Sequence, residues 1–236
     1  MLEVFGQAGR LIVSGDPELL EIVMLSLQVT GTAVLFSCLI GFPLGAAIGA
    51  LRFLGQRALS IFLSALMGLP PVLVGLTVYL MLSASGPLAP LQLLYTPAAM
   101  VIAQTILITP IVAALTREAV TQLAETYEEL FRSIGVPPLM RIPTLLWDAR
   151  TALVTVTLAG FGRAMAEVGA VIVVGGNIAH HTRVMTTSIA LETSKGNLEL
   201  ALALGLVLLA IAVTVNALVM MLRTPLRGVD EVRLAS

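Results

Sequence analysis

Two ionisable side chains stand where an apolar stretch should exclude them. Arg163 and Glu167 lie inside the span expected at 145–174, four residues apart, which places them on one helix face within pairing distance. A charge at the centre of a spanning helix costs about 2.5–3.5 kcal/mol on the insertion scale, so such groups face a bundle interior, a partner charge or a water path. Two kinds of chemistry fit, beside simple snorkelling of the charges toward the membrane surface. The pair neutralises itself and locks helices together, or it lines or gates a path for an anion, with Arg163 supplying positive potential and Glu167 holding it in place. The other reactive residue types point to little. His180 and His181 are the only histidines, adjacent and without a Cys or carboxylate cluster nearby, so no metal site is expected. Lys195 is the sole lysine, and no G-x-x-x-x-G-K-[ST] loop precedes it, so the chain is not expected to hydrolyse ATP alone. Cys38 sits in an apolar run, where a free thiol behaves as a small hydrophobe. No catalytic residue is expected.

The elements that must position these groups follow from how charge is distributed. Of 236 residues 58% are apolar and 11% charged, whereas a soluble domain carries about 25% charged residues. No Asp, Glu, Lys or Arg occurs over 22–51, 58–116 or 200–222. Each run exceeds the roughly 20 residues that cross a hydrocarbon core, so the expected fold is an all-α integral membrane protein of about five spans. These are placed at 19–51, 58–82, 97–116, 145–174 and 198–222, with an external segment at 1–18 and a short cytoplasmic tail at 225–236. The long uncharged run is divided by Ser83, Ser85, Gly86, Pro87 and Pro90, and Thr96 with Pro97 reads as a helix start. Gly41, Gly45 and Gly49 share a face of the first span and suit close helix packing. Pro70 and Pro71 interrupt the second, either as a packing kink or as a broken helix beside a wet cavity. A short helix is expected around 184–193. The start of the chain lacks the pattern of a cleaved signal peptide, and the net charge of −1 suggests no nucleic-acid partner.

Residues 117–150 form the main hydrophilic stretch, with four Arg and five acidic residues. Leu123, Tyr127, Leu130 and Ile134 recur at helical spacing, which predicts one amphipathic helix over 121–134, ended by Gly135, Pro137 and Pro138. With 117–144 in the cytoplasm, the inner side holds Arg52, Arg57, Arg117, Arg132, Arg141, Arg150, Arg223, Arg227 and Arg233. The outer side then holds Arg10, Arg183 and Lys195. That asymmetry favours the N-terminus outside and the C-terminus inside.

The stretch Tyr127-Glu128-Glu129-Leu130-Phe131-Arg132-Ser133-Ile134-Gly135 resembles the EAA loop of membrane subunits in binding-protein-dependent ABC importers. Glu129, six residues before Gly135, fits the pattern. Leu130 and Phe131 replace its usual alanines, and Trp147-Asp148 stands where many relatives have Leu-Pro. The runs 160–178, 69–75, 86–88 and 186–204 are similar to permeases of the molybdate, tungstate and sulfate group, nearest those that import tungstate, over roughly residues 19–224. The resemblance implies a multi-pass permease of a prokaryotic cytoplasmic (inner) membrane, paired with a second copy of itself, two cytoplasmic ATPase subunits and an external or periplasmic oxyanion-binding protein. It implies that Leu123, Tyr127, Leu130 and Ile134 anchor on the ATPase while Glu128, Glu129 and Arg132 make polar contacts. ATP and magnesium would sit on that partner, and this chain would hold no cofactor. The cargo expected is tungstate, with molybdate or sulfate as alternatives.

A transporter working alone on an ion gradient would show inverted repeats and several intramembrane carboxylates. The sequence shows one such carboxylate and no clear repeat. A purely structural membrane subunit is the third reading, in which Arg163 serves assembly alone.

Overall fold

The computed structural model describes the backbone of residues 2–234 and the side chains of 4–217. The side chains of Arg223, Arg227 and Arg233 lie outside the described residues. All regular structure among the described residues is helical: α1 (Leu2–Ser14), α2 (Pro17–Ala50), α3 (Gln56–Leu66), α4 (Pro71–Leu82), α5 (Pro97–Thr126), α6 (Glu128–Ser133), α7 (Pro138–Asp148), α8 (Arg150–Met165), α9 (Gly169–Gly175), α10 (Met185–Lys195) and α11 (Leu198–Leu234), with one turn of 3-10 helix at Ala89–Leu91. Three helices, α2, α5 and α11, are long and apolar enough to cross a membrane, and two interrupted pairs, α3 with α4 and α8 with α9, raise the number to five if each pair crosses once.

Local chemistry explains the starts. Asp16 Oδ1 accepts from the backbone N–H groups of Glu18 and Leu19 at 3.0 and 3.1 Å, and Pro17 needs no donor at the first turn of α2. Thr96 Oγ1 accepts from Ala99 N–H at 3.4 Å ahead of Pro97 in α5. Pro71 opens α4 in the same way, so the Pro70–Pro71 pair separates two helices rather than kinking one. The segment at 1–18, expected only as an external stretch, contains a helix of 13 residues.

The chain divides into two compact units, one of residues 1–34, 69–107 and 161–213, the other of 35–68, 108–160 and 214–236. In the second, α2 and α5 touch along their small residues. A Cβ added at Gly41 would lie 2.7 Å from Val112 Cγ1, one at Gly45 2.8 Å from Thr116 Cβ and against the Ala113 carbonyl oxygen, and one at Gly49 2.8 Å from the Arg117 carbonyl oxygen. Contact positions rise together along both helices, so α2 and α5 run parallel.

In the first unit, Val29, Val74, Val78, Met100, Val171 and Val174 form the centre of a buried cluster. Here α4 meets α9 nearly backbone to backbone: a Cβ at Gly75 would lie 2.7 Å from Ala170 Cα, and one at Gly169 2.8 Å from Val72 Cγ2. Near the start of α11, buried Glu192 accepts from Lys195 Nζ at 2.8 Å and from Asn197 Nδ2 at 3.0 Å. The Lys195 bond, opposed by burial and aided by Asn197, holds this carboxyl below the usual carboxylate range. A depressed value contributes stability that is present above the ordinary carboxylate pKa and lost as pH falls through the folded one. Lys195→Met is therefore expected to lower the thermal midpoint at pH 7 and to narrow the difference between pH 7 and pH 4, read by thermal unfolding in detergent.

Candidate functional site

The Arg163–Glu167 pair sits at the interruption between α8 and α9. The expected continuous span at 145–174 is corrected here: α7 ends at Asp148, α8 ends at Met165, and Ala166 to Val168 are not helical. Arg163 Nη1 donates to Glu167 Oε2 at 2.8 Å, so the four-residue spacing yields a pair although Glu167 has left the helix. Glu167 is 4% exposed and Arg163 36%. The second carboxylate oxygen, Oε1, accepts from Ala170 N–H at 3.0 Å in the first turn of α9. Its buried charge is therefore met by a guanidinium on one side and a helix start on the other.

The rest of the break is satisfied in the same manner. Gln104 Nε2 on α5 donates to the Ala164 carbonyl at 3.2 Å, and Thr186 Oγ1 on α10 donates to the Glu167 carbonyl at 2.9 Å. Backbone groups freed at membrane depth must find internal partners, and three polar side chains, Gln104, Glu167 and Thr186, supply them. A cavity of about 10 Å³ lies among Ser26, Thr30, Gln104, Glu167 and Thr186. It has room for no more than one water. Gln104 Oε1, buried and without a partner, belongs to its lining. Sequence reasoning singled out Arg163 and Glu167 but missed Gln104 and Thr186, whose only signal is their polarity inside or beside an apolar span.

Breaking a buried pair by removing one partner is costly because the other charge remains. Arg163→Gln is expected to destabilise the fold by about 1–3 kcal/mol. Glu167→Gln, which keeps an acceptor for Ala170 N–H, is expected to cost less; equal thermal midpoints for the two variants would contradict this.

Pro70 and Pro71 stand at the start of α4 in the same unit, and Gly75 and Gly169 bring α4 against α9. The two sequence runs 69–75 and 160–178 thus meet.

In the second unit the hydrophilic stretch departs from expectation. One helix over 121–134 does not form; α5 runs on to Thr126, the chain turns at Tyr127, and α6 covers only Glu128–Ser133. The turn lets Tyr127 and Phe131 pack edge to face with centroids 5.8 Å apart, and buries Phe131 with Ala46, Val120, Leu145 and Ala149. The expected stripe is split as a result. Leu123 and Tyr127 pack against this cluster, whereas Leu130 and Ile134 are 53% and 63% exposed. Gly135 ends α6 at φ 69°. Val136 N–H donates to Phe131 O at 3.0 Å and Gly135 N–H to Arg132 O at 3.3 Å, the paired bonds of a glycine-closed helix end, and Val136 packs against the cluster that holds Phe131.

Glu128 is tied down by Arg52 Nη2 at 2.6 Å, while Glu129 and Arg132 are exposed. Helix α7, not foreseen at 138–144, adds Leu139, Met140 and Trp147, each at least two-thirds exposed, to the uncovered apolar face. Its signal was present in Leu139, Ile142, Leu145 and Leu146 after two prolines. Arg141 lies over the ring of buried Phe131 at 5.3 Å, and Arg150 over exposed Trp147 at 5.6 Å.

Comparison with known proteins agrees with this arrangement. Residues 41–227 match the family described as binding-protein-dependent transport system inner membrane component. The chain is 41% identical over 221 residues to the tungstate uptake system permease protein TupB of Peptoclostridium acidaminophilum, covering 94% of this chain and 97% of that one. It is 40% identical to a probable anion ABC transporter permease protein of Haloferax volcanii, covering 85% and 88%. It is 35% identical to the TupB of Campylobacter jejuni, covering 81% and 80%.

Proposed function

Because the chain belongs to the family of binding-protein-dependent transport system inner membrane components, and so is the membrane-spanning permease of an ABC importer, we propose that its cargo is tungstate. The observation that carries this reading is the 41% identity, over nearly the whole of both chains, to a tungstate permease. Work is supplied from outside the chain, by a cytoplasmic ATPase that grips α6 and α7. Exposed Leu130, Ile134, Leu139, Met140 and Trp147 are the apolar anchors, and Glu129 and Arg132 the polar rim. The stiff closure of α6 by Gly135 favours transmission of a push, because the helix end is held by backbone bonds rather than by solvent. An external binding protein delivers the anion, and two copies of the permease form the path, each with its N-terminus outside. Rigid-body rocking of the spans alternates access, and Arg163 offers the cargo a positive field at the break between α8 and α9.

The test is reconstitution of the chain with its ATPase and binding protein in vesicles. Tungstate uptake should require ATP and should fall to background with Glu129→Lys, while an uncoupler has no effect. Uptake by the chain alone that collapses with an uncoupler would overturn the reading. Competition by molybdate and sulfate separates the three cargoes: tungstate uptake unaffected by excess of either supports the assignment, and preferential uptake of one of them refutes it.

A further inference from the structure

Helix α1 has three faces, and two suffice for a helix that only packs on protein. Ala8 and Leu11, three residues apart, turn inward; Ala8 is fully buried, in a cluster with Leu19, Ile22, Met185 and Leu204, and Leu11 packs against it. Gln7, Arg10 and Ser14 make a polar exposed stripe. Phe5, Ile12 and Val13 form a third, apolar surface, 51%, 37% and 89% exposed. A helix that is polar on one side, apolar and uncovered on another, and anchored on the third belongs at an oil–water boundary. Continuity fixes its level: only Gly15 and Asp16 separate α1 from the first residue of the spanning α2.

Beside the polar stripe is an open cavity of about 500 Å³, lined by Gln7, Arg10, Leu11, Val13, Ser14 and Glu199. Its lining holds both a guanidinium and a carboxylate, together with apolar Leu11 and Val13. Glu199, in the first turn of α11, is met by the Gln7 amide, whose nitrogen, when oriented to donate, reaches both carboxylate oxygens, Oε1 and Oε2. Among the described residues Arg10 has no ion pair, so its charge is available.

We propose that this cavity binds the headgroup of a zwitterionic phospholipid with a primary ammonium, from the leaflet in which α1 lies. The phosphate sits on Arg10, the ammonium on Glu199 and Gln7 holds that carboxylate in place, while the acyl chains run along Val13, Ile12 and Phe5. Charge complementarity selects the class. A purely anionic headgroup meets Glu199 as a like charge, and a quaternary ammonium cannot donate a hydrogen bond to it.

The test is native mass spectrometry of the purified full-length chain, exchanged with phosphatidylethanolamine, phosphatidylglycerol or phosphatidylcholine. Phosphatidylethanolamine should be retained about threefold more than either of the others, the size of effect an exposed ion pair supports. Arg10→Gln and Glu199→Gln should each erase that preference. Retention that is equal across the three lipids, or a preference untouched by both variants, overturns the proposal. A second measurement does not depend on those variants: Val13→Trp in a Trp147→Phe background should be quenched by lipids brominated near the headgroup and shielded from iodide. Iodide quenching without bromine quenching overturns it too. If Arg10→Gln leaves lipid retention intact but reduces stimulation of ATP hydrolysis by the binding protein, the face docks that protein instead and the lipid assignment is wrong. None of these readouts depends on which oxyanion is carried.

Discussion

Gly45→Leu is expected to yield almost no folded permease, whereas Gly31→Ala on the same helix should be recovered at wild-type levels. At Gly45 even the first added carbon meets the Ala113 carbonyl oxygen and lies 2.8 Å from Thr116 Cβ and 3.0 Å from Arg117 N, and two of these three neighbours are backbone that cannot swing aside. At Gly31 nothing lies within 4 Å. Overpacking typically costs about 1–3 kcal/mol and more when backbone must move, against a total stability of order 5–15 kcal/mol. Gly45→Ala should fall between the two, with a lowered thermal midpoint. The measurement is monodisperse yield on size exclusion followed by thermal unfolding, and a Gly45→Leu protein as stable as wild type would show that α2 and α5 do not depend on their close approach.

The second large effect is expected at the uncovered patch. Leu130→Asp combined with Ile134→Asp should release the ATPase partner while leaving the permease folded. Both side chains are more than half exposed, so neither contributes much to the fold, yet central apolar anchors of an interface carry about 2 kcal/mol or more each. Loss of both corresponds to roughly a thousandfold weaker binding. Co-purification of the ATPase with the tagged permease reads the result directly. Phe131→Asp is the contrasting variant: that ring is buried against Leu145 and Ala149, so it should reduce the yield of permease itself. Retention of the ATPase by the double variant would remove α6 from the proposed interface.

How far the sequence revealed these features depends on which physical signal each leaves. The spans were legible because exclusion of charge from hydrocarbon acts on every residue of a long run, and the glycine face because small residues at four-residue spacing have few other uses. The amphipathic stretch was legible as a segment but not in detail. Leu130 and Phe131 are adjacent, and periodicity alone assigns either to the inward face. Only the turn at Tyr127, which lets its ring meet Phe131, decides for Phe131. The break after Met165 left no proline to announce it. It depends on Glu167 supplying a carboxylate to Ala170 N–H, and on Gln104 and Thr186, distant in sequence, closing the remaining gaps. A single chain read along its length shows such residues only as polar exceptions, because their partners are set by packing. Helix α1 escaped because 13 residues with an Arg and a Glu look like an ordinary hydrophilic lead-in until their three faces are separated.

The interruption between α8 and α9 also limits how that region can move. Gln104, Glu167 and Thr186 each hold one backbone group there, and Arg163 shares the same carboxylate. Because these bonds converge on three successive backbone turns, bending the junction strains several of them at once, so it is braced as a unit rather than held at any single point.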